Sequence, residues 1–76
     1  MTPRGTPSED LVAALCRAGF VVYRRADNGT ILERGTRAVV VPTRRMLAPE
    51  VVTDLRRIAG VSWRDLDALL HGETRS

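Results

Sequence analysis

The chain has one histidine, His71, and one cysteine, Cys16, so acid–base or nucleophilic chemistry has little to draw on. An imidazole suits proton transfer near neutral pH. His71, however, closes a short C-terminal helical pattern, where a cation is favoured by the helix dipole. Cys16 lies among apolar residues near the end of the first helical pattern and reads as a packed thiol; a nucleophilic thiolate would want an imidazole beside it. Asp27 and Glu33 flank a hairpin without an acid partner at a diagnostic spacing. There is no glycine-rich phosphate loop, no metal-ligand spacing and no Ser-His-Asp logic. No metal and no cofactor is implied.

What remains is arginine. All twelve basic residues are Arg, with no Lys. A GC-rich coding bias would produce the same complement, so position matters more than type. The guanidinium is planar, always ionised and well matched to phosphate. The net charge is +3, but between residues 19 and 47 six Arg face only Asp27 and Glu33, a local +4. Arg24, Arg25, Arg34, Arg37, Arg44 and Arg45, with Tyr23 among them, are the candidate surface for RNA phosphates or an acidic protein partner.

These side chains must be positioned by a small set of elements. Thr6, Pro7 and Glu9 read as N-cap, first helical residue and capping box. Leu11, Val12 and Leu15 follow at helical spacing, and Gly19 is the stop, so a helix is predicted over 7–18. Phe20 to Arg25 alternates as a strand, and Asp27-Asn28-Gly29 is a turn. Thr30 to Arg34 and Arg37 to Val41 are two further strands, turned at Gly35-Thr36 and ended by Pro42. Thr43 to Ala48 is a loop. Pro49 opens a helix whose apolar stripe is Val51, Val52, Leu55, Ile58 and Ala59, ended by Gly60. Ser62 and Asp65 suggest a capping box for a short third helix over 63–71, with Trp63 as its anchor.

The predicted fold is α+β. It is an α-β-β-β-α two-layer sandwich with a three-stranded antiparallel sheet, helices on one face and a short extra C-terminal helix. Phe20, Val22, Leu15, Leu55 and Ile58 are the expected core. Strand alternation then sends Arg24 to the helix side and Arg25 outward with Tyr23. The outer face would show Val21, Tyr23 and Val40, an apolar surface suited to a partner.

The order of motifs resembles the HicA family, small toxins of bacterial toxin–antitoxin pairs. The resemblance rests on Leu15-Cys16-Arg17-Ala18-Gly19-Phe20, on Arg37-Ala38-Val39-Val40-Val41-Pro42, and on Leu55-Arg56-Arg57-Ile58-Ala59-Gly60-Val61-Ser62. It spans about residues 7–70. It implies a fold like the double-stranded RNA-binding domain, action on messenger RNA, and silencing by an antitoxin. It also implies metal-free catalysis by a histidine in a Gly-Ser/Thr-His motif at the start of the second strand. That place falls here on Gly29 or, aligning Gly29-Thr30 with the motif, on Ile31. Neither transfers a proton. A second histidine seen in the family after the third-strand proline is absent too, since Thr43 and Arg44 follow Pro42. No residue is therefore assigned a catalytic role. The first expectation is a domain that binds RNA or a protein partner without nuclease activity. An active mRNA-cleaving toxin and a structural adaptor are the alternatives.

Seventy-six residues and 8.4 kDa fit one domain, expected over 6–71, with loose ends at 1–5 and 72–76. No apolar run has the roughly 20 residues of a membrane helix and no signal segment opens the chain, so a cytoplasmic protein with no membrane partner is expected.

Overall fold

The computed structural model describes residues 5–72; of the expected loose ends at 1–5 and 72–76, residues 1–4 and 73–76 lie outside the described residues. The elements run α1 (Ser8–Arg17), β1 (Val21–Ala26), β2 (Gly29–Arg34), β3 (Arg37–Pro42), α2 (Pro49–Ala59) and α3 (Trp63–Leu70). The three strands form one open antiparallel sheet in the order β1-β2-β3. α2 lies against β3, α1 reaches over β2 and β3, and α3 packs on α1. The α+β class and the succession of elements are as the sequence predicts.

Two glycines turn the chain out of its longer helices, Gly19 from α1 into β1 and Gly60 from α2 toward α3. Gly19 (φ 102°) and Gly60 (φ 73°) take left-handed backbone conformations that other residues rarely adopt. Beyond them, Phe20 N–H returns to Leu15 O and Val61 N–H to Arg56 O, which satisfies carbonyls at the two helix ends. Ser62 caps α3 by accepting from Asp65 N–H at 3.1 Å.

The N-terminus of α1 is built differently from its predicted capping box. Thr6 lies outside the helix and is buried, forming an antiparallel bridge to Leu47 with reciprocal bonds of 3.0 and 2.7 Å. Pro7 takes the cap position without a side-chain cap bond. Glu9 instead stands 3.7 Å from Arg25 across the end of the sheet. The bridge wins because it pairs two loop segments whose backbone groups would otherwise be buried without partners.

The core joins Leu11, Leu15 and Phe20 to Leu32, Val39 and Val41 from the sheet and to Val52, Leu55, Leu66 and Leu69 from α2 and α3. Val22 and Trp63 are partly buried against it. Three expectations are corrected. Ile58 is 51 % exposed, because α2 turns Val52, Leu55 and Ala59 inward. Cys16 is exposed rather than packed. Leu47, in the segment read as a plain loop, is fully buried.

The sheet holds the most consequential departure. Val22 pairs with Leu32, but Arg24, not Tyr23, pairs with Ile31. Tyr23 is an extra residue, a β-bulge, and two residues of β1 oppose one of β2. Alternation therefore shifts by one beyond it. Directly opposed residues share a face. Arg24 joins Ile31 and Val40 on the face away from the helices, and Arg25 joins the buried Thr30 on the helix side. This reverses the predicted facing of Arg24 and Arg25.

Candidate functional site

The helix-free face of the sheet is an exposed apolar platform with a cation set in it. Val21, Tyr23 and Val40 are 67 %, 68 % and 54 % exposed, and Ile31 lies half-buried between them. The bulge sets Tyr23 and Arg24 side by side opposite Ile31. Arg24 is exposed and forms no ion pair or hydrogen bond with the described residues.

Arg44 and Arg45 lie at the end of the sheet toward which β1 carries Arg24 and Arg25. Thr43 N–H donates to Asn28 O at 3.1 Å, which ties the Arg44-Arg45 segment to the β1–β2 turn. Ser8 Oγ fixes it from the other side, donating to Arg44 O at 2.7 Å and accepting from Arg44 N–H at 3.3 Å. Both Arg44 and Arg45 are exposed. Arg25 belongs to the same end, on the helix side, with Glu9 as its neighbour. That exposed pair contributes little to stability.

Arg34 and Arg37 are at the other end and are occupied. Arg34 donates to Ala18 O at 2.7 Å and its guanidinium lies 4.8 Å from the Phe20 ring centroid. Arg37 donates to Ile58 O at 3.1 Å and packs beside Gly60. Arg17 does the same for α3, donating to Leu69 O at 2.9 Å. Each places a cation at the negative end of a helix, so these arginines bind helix ends together. The sequence carries a signal for this, an Arg at each end of the tight β2–β3 turn and helices that stop at glycine. Arg56 donates to Val61 O at 2.9 Å and lies over the Trp63 ring, 5.1 Å from its centroid, so that ring face is covered.

The structure thus gathers Tyr23, Arg24, Arg25, Arg44 and Arg45 toward one end of the sheet and separates Arg34 and Arg37 from them. Gly29 and Ile31, the two places to which the family resemblance assigns an imidazole, both lie on the outer face. A Cβ at Gly29 would sit 3.2 Å from Val40 Cγ1 and 3.3 Å from Val41 O, so a side chain there is crowded. His71 lies in the helical layer at the C-cap of α3, with Nδ1 2.7 Å from Asp67 O. A cleft of about 420 Å³ opens between the C-terminal ends of α1 and α2 and one side of α3, lined by Gly19, Arg34, Gly60, Asp65 and Leu69 among others. Its arginine is the one engaged with Ala18. Among the described residues no group of His, Cys, Asp and Glu could hold a metal, and no helix is long and apolar enough to cross a membrane. No family model matches the chain, and no curated protein or solved structure compared with it does either.

Proposed function

We propose that the chain is a HicA-like module, with a fold of the double-stranded-RNA-binding-domain kind, that binds RNA without cutting it. The observation that carries the reading is the bulge. It pairs an exposed aromatic ring with a guanidinium that has no partner among the described residues, on an open sheet face, at the end where Arg44 and Arg45 project. A ring offers a stacking surface to an unpaired base, and guanidinium groups track the backbone phosphates. The places assigned to the family's imidazole hold Gly29 and Ile31, and neither moves a proton. Binding is what the face retains.

A second reading has its own support. Val21, Ile31 and Val40 make the same face apolar enough to receive a protein, such as an antitoxin. Salt separates the two. RNA affinity, followed by anisotropy of a labelled single-stranded transcript, should fall linearly in log–log form with added salt, with a slope of about −0.7 for each phosphate contacted. Three contacting arginines would give a slope near −2. Absence of RNA binding at low salt, or binding indifferent to salt, overturns the RNA reading.

A further inference from the structure

The two edges of the sheet are protected differently. β1 is blunted by the bulge at Tyr23 and by Arg24 and Arg25, devices that keep an edge from pairing with another strand. β3 has no bulge, and its one charged residue and its proline stand at its two ends. Its six residues pair with β2 without a register shift, and the segment between Arg37 and Thr43 is uncharged. Arg37 does not guard it, because its guanidinium is held by Ile58 O.

The backbone of that edge can be assigned from the ladder. Thr43 N–H bonds Asn28 O. Antiparallel pairs alternate between bonded and non-bonded, so Thr30/Val41, Leu32/Val39 and Arg34/Arg37 are the bonded pairs. Ala38, Val40 and Pro42 therefore turn their backbone polar groups away from β2, toward the open edge. Pro42 has no N–H to leave unpaired there. The open edge offers the N–H and C=O of Ala38 and Val40 on an apolar strand, beside half-exposed Val40 and Ile58.

We propose that β3 pairs with β3 of a second copy of this chain, antiparallel about a two-fold axis at Val39. In that register Ala38 N–H donates to Val40 O of the second copy and Val40 N–H to its Ala38 O. No open-edge donor is left over. The two Arg37 residues stand about 13 Å apart, at four residues of strand rise, whereas in-register parallel pairing would stack them as like charges. The same two-fold axis runs the α2 helices antiparallel along the seam. Glu50 in the first turn of one then stands toward Arg57 in the last turn of the other, with Ile58 on the flank between. An apolar edge flanked by acid and base at opposite ends of one helix complements itself, which an acidic peptide or a nucleic acid strand would not. The dimer is independent of the RNA reading.

Sedimentation equilibrium over a concentration series of the full chain tests it, with amide exchange as a second readout. The mass should rise from 8.4 kDa toward twice that value. The Ala38 and Val40 amides should gain protection as it does. Val40→Lys and Ile58→Lys, both at exposed positions, should each raise the dimer Kd by about tenfold or more. Val21→Lys, on the same sheet face but on β1, should leave it unchanged. A mass of 8.4 kDa at every concentration, growth past a dimer, indifference to Val40→Lys, or equal sensitivity to Val21→Lys would each overturn the proposal.

Discussion

Replacing Tyr23 and Arg24 together with alanine should weaken RNA binding by roughly 30- to 700-fold while leaving the fold intact. Stacking one base on an aromatic ring is worth about 1–3 kcal/mol by alanine substitution. An arginine on a phosphate adds about 1 kcal/mol at moderate salt and one unit to the count of contacts. Together they amount to roughly 2–4 kcal/mol, and each 1.4 kcal/mol is about a factor of ten in affinity. Neither side chain supports the fold: Tyr23 is 68 % exposed, and Arg24 is exposed on a face no helix covers. Thermal unfolding should therefore move by no more than about 0.5 kcal/mol. Arg34→Ala is the matched control. It removes an equal charge but one engaged with Ala18 and Phe20, so it should lower stability and hardly touch affinity. Binding that depends on Arg34 more than on Tyr23 and Arg24 would place the RNA elsewhere.

The largest loss of stability is expected from Leu47→Ala. Leu47 is 0 % exposed although it stands outside every helix and strand. Its backbone makes the reciprocal bridge to Thr6 that fastens the chain ahead of α1 to the chain ahead of α2. Truncating a fully buried leucine costs about 2–5 kcal/mol, because the cavity left behind collapses only in part. A domain of this length has a total stability of roughly 4–11 kcal/mol. The midpoint of unfolding should fall by about 10–25 °C, read by calorimetry or by circular dichroism on heating. A change under about 1 kcal/mol would mean that the Thr6–Leu47 bridge is peripheral to the fold.

Leu47 also shows where the sequence stops being legible. A lone leucine between Met46 and Ala48 carries no period, and it joins the core while its backbone is paired with Thr6, some forty residues away. Gly19, Gly60 and Ser62, by contrast, announce helix ends locally, and the structure uses all three as the pattern implies. Phe20, Leu15 and Leu55 are likewise fixed by spacing. Ile58 is not, because the apolar stripe of α2 is wider than the face the sheet covers, and the helix rotates to bury Val52, Leu55 and Ala59. The facing of Arg24 and Arg25 was beyond strand alternation for a different reason. A bulge is a property of two paired strands, and nothing in Val21–Ala26 alone marks Tyr23 as the residue without a partner. Thr6 looked like a cap because its type and place were right, yet a competing backbone pairing took it.

The cationic site was half legible. Charge counting found the arginines, but it could not separate Arg34 and Arg37, spent on the ends of α1 and α2, from Arg24, Arg44 and Arg45, which have no such engagement. That distinction depends on helix carbonyls brought close by the tertiary fold.

The most direct test is to incubate the purified chain with an end-labelled messenger RNA and resolve the products by length. The account predicts a salt-sensitive complex and full-length RNA at the end of the incubation. Shortened transcripts, in an activity that co-purifies with the chain and is lost in His71→Ala or in Arg24→Ala, would contradict it.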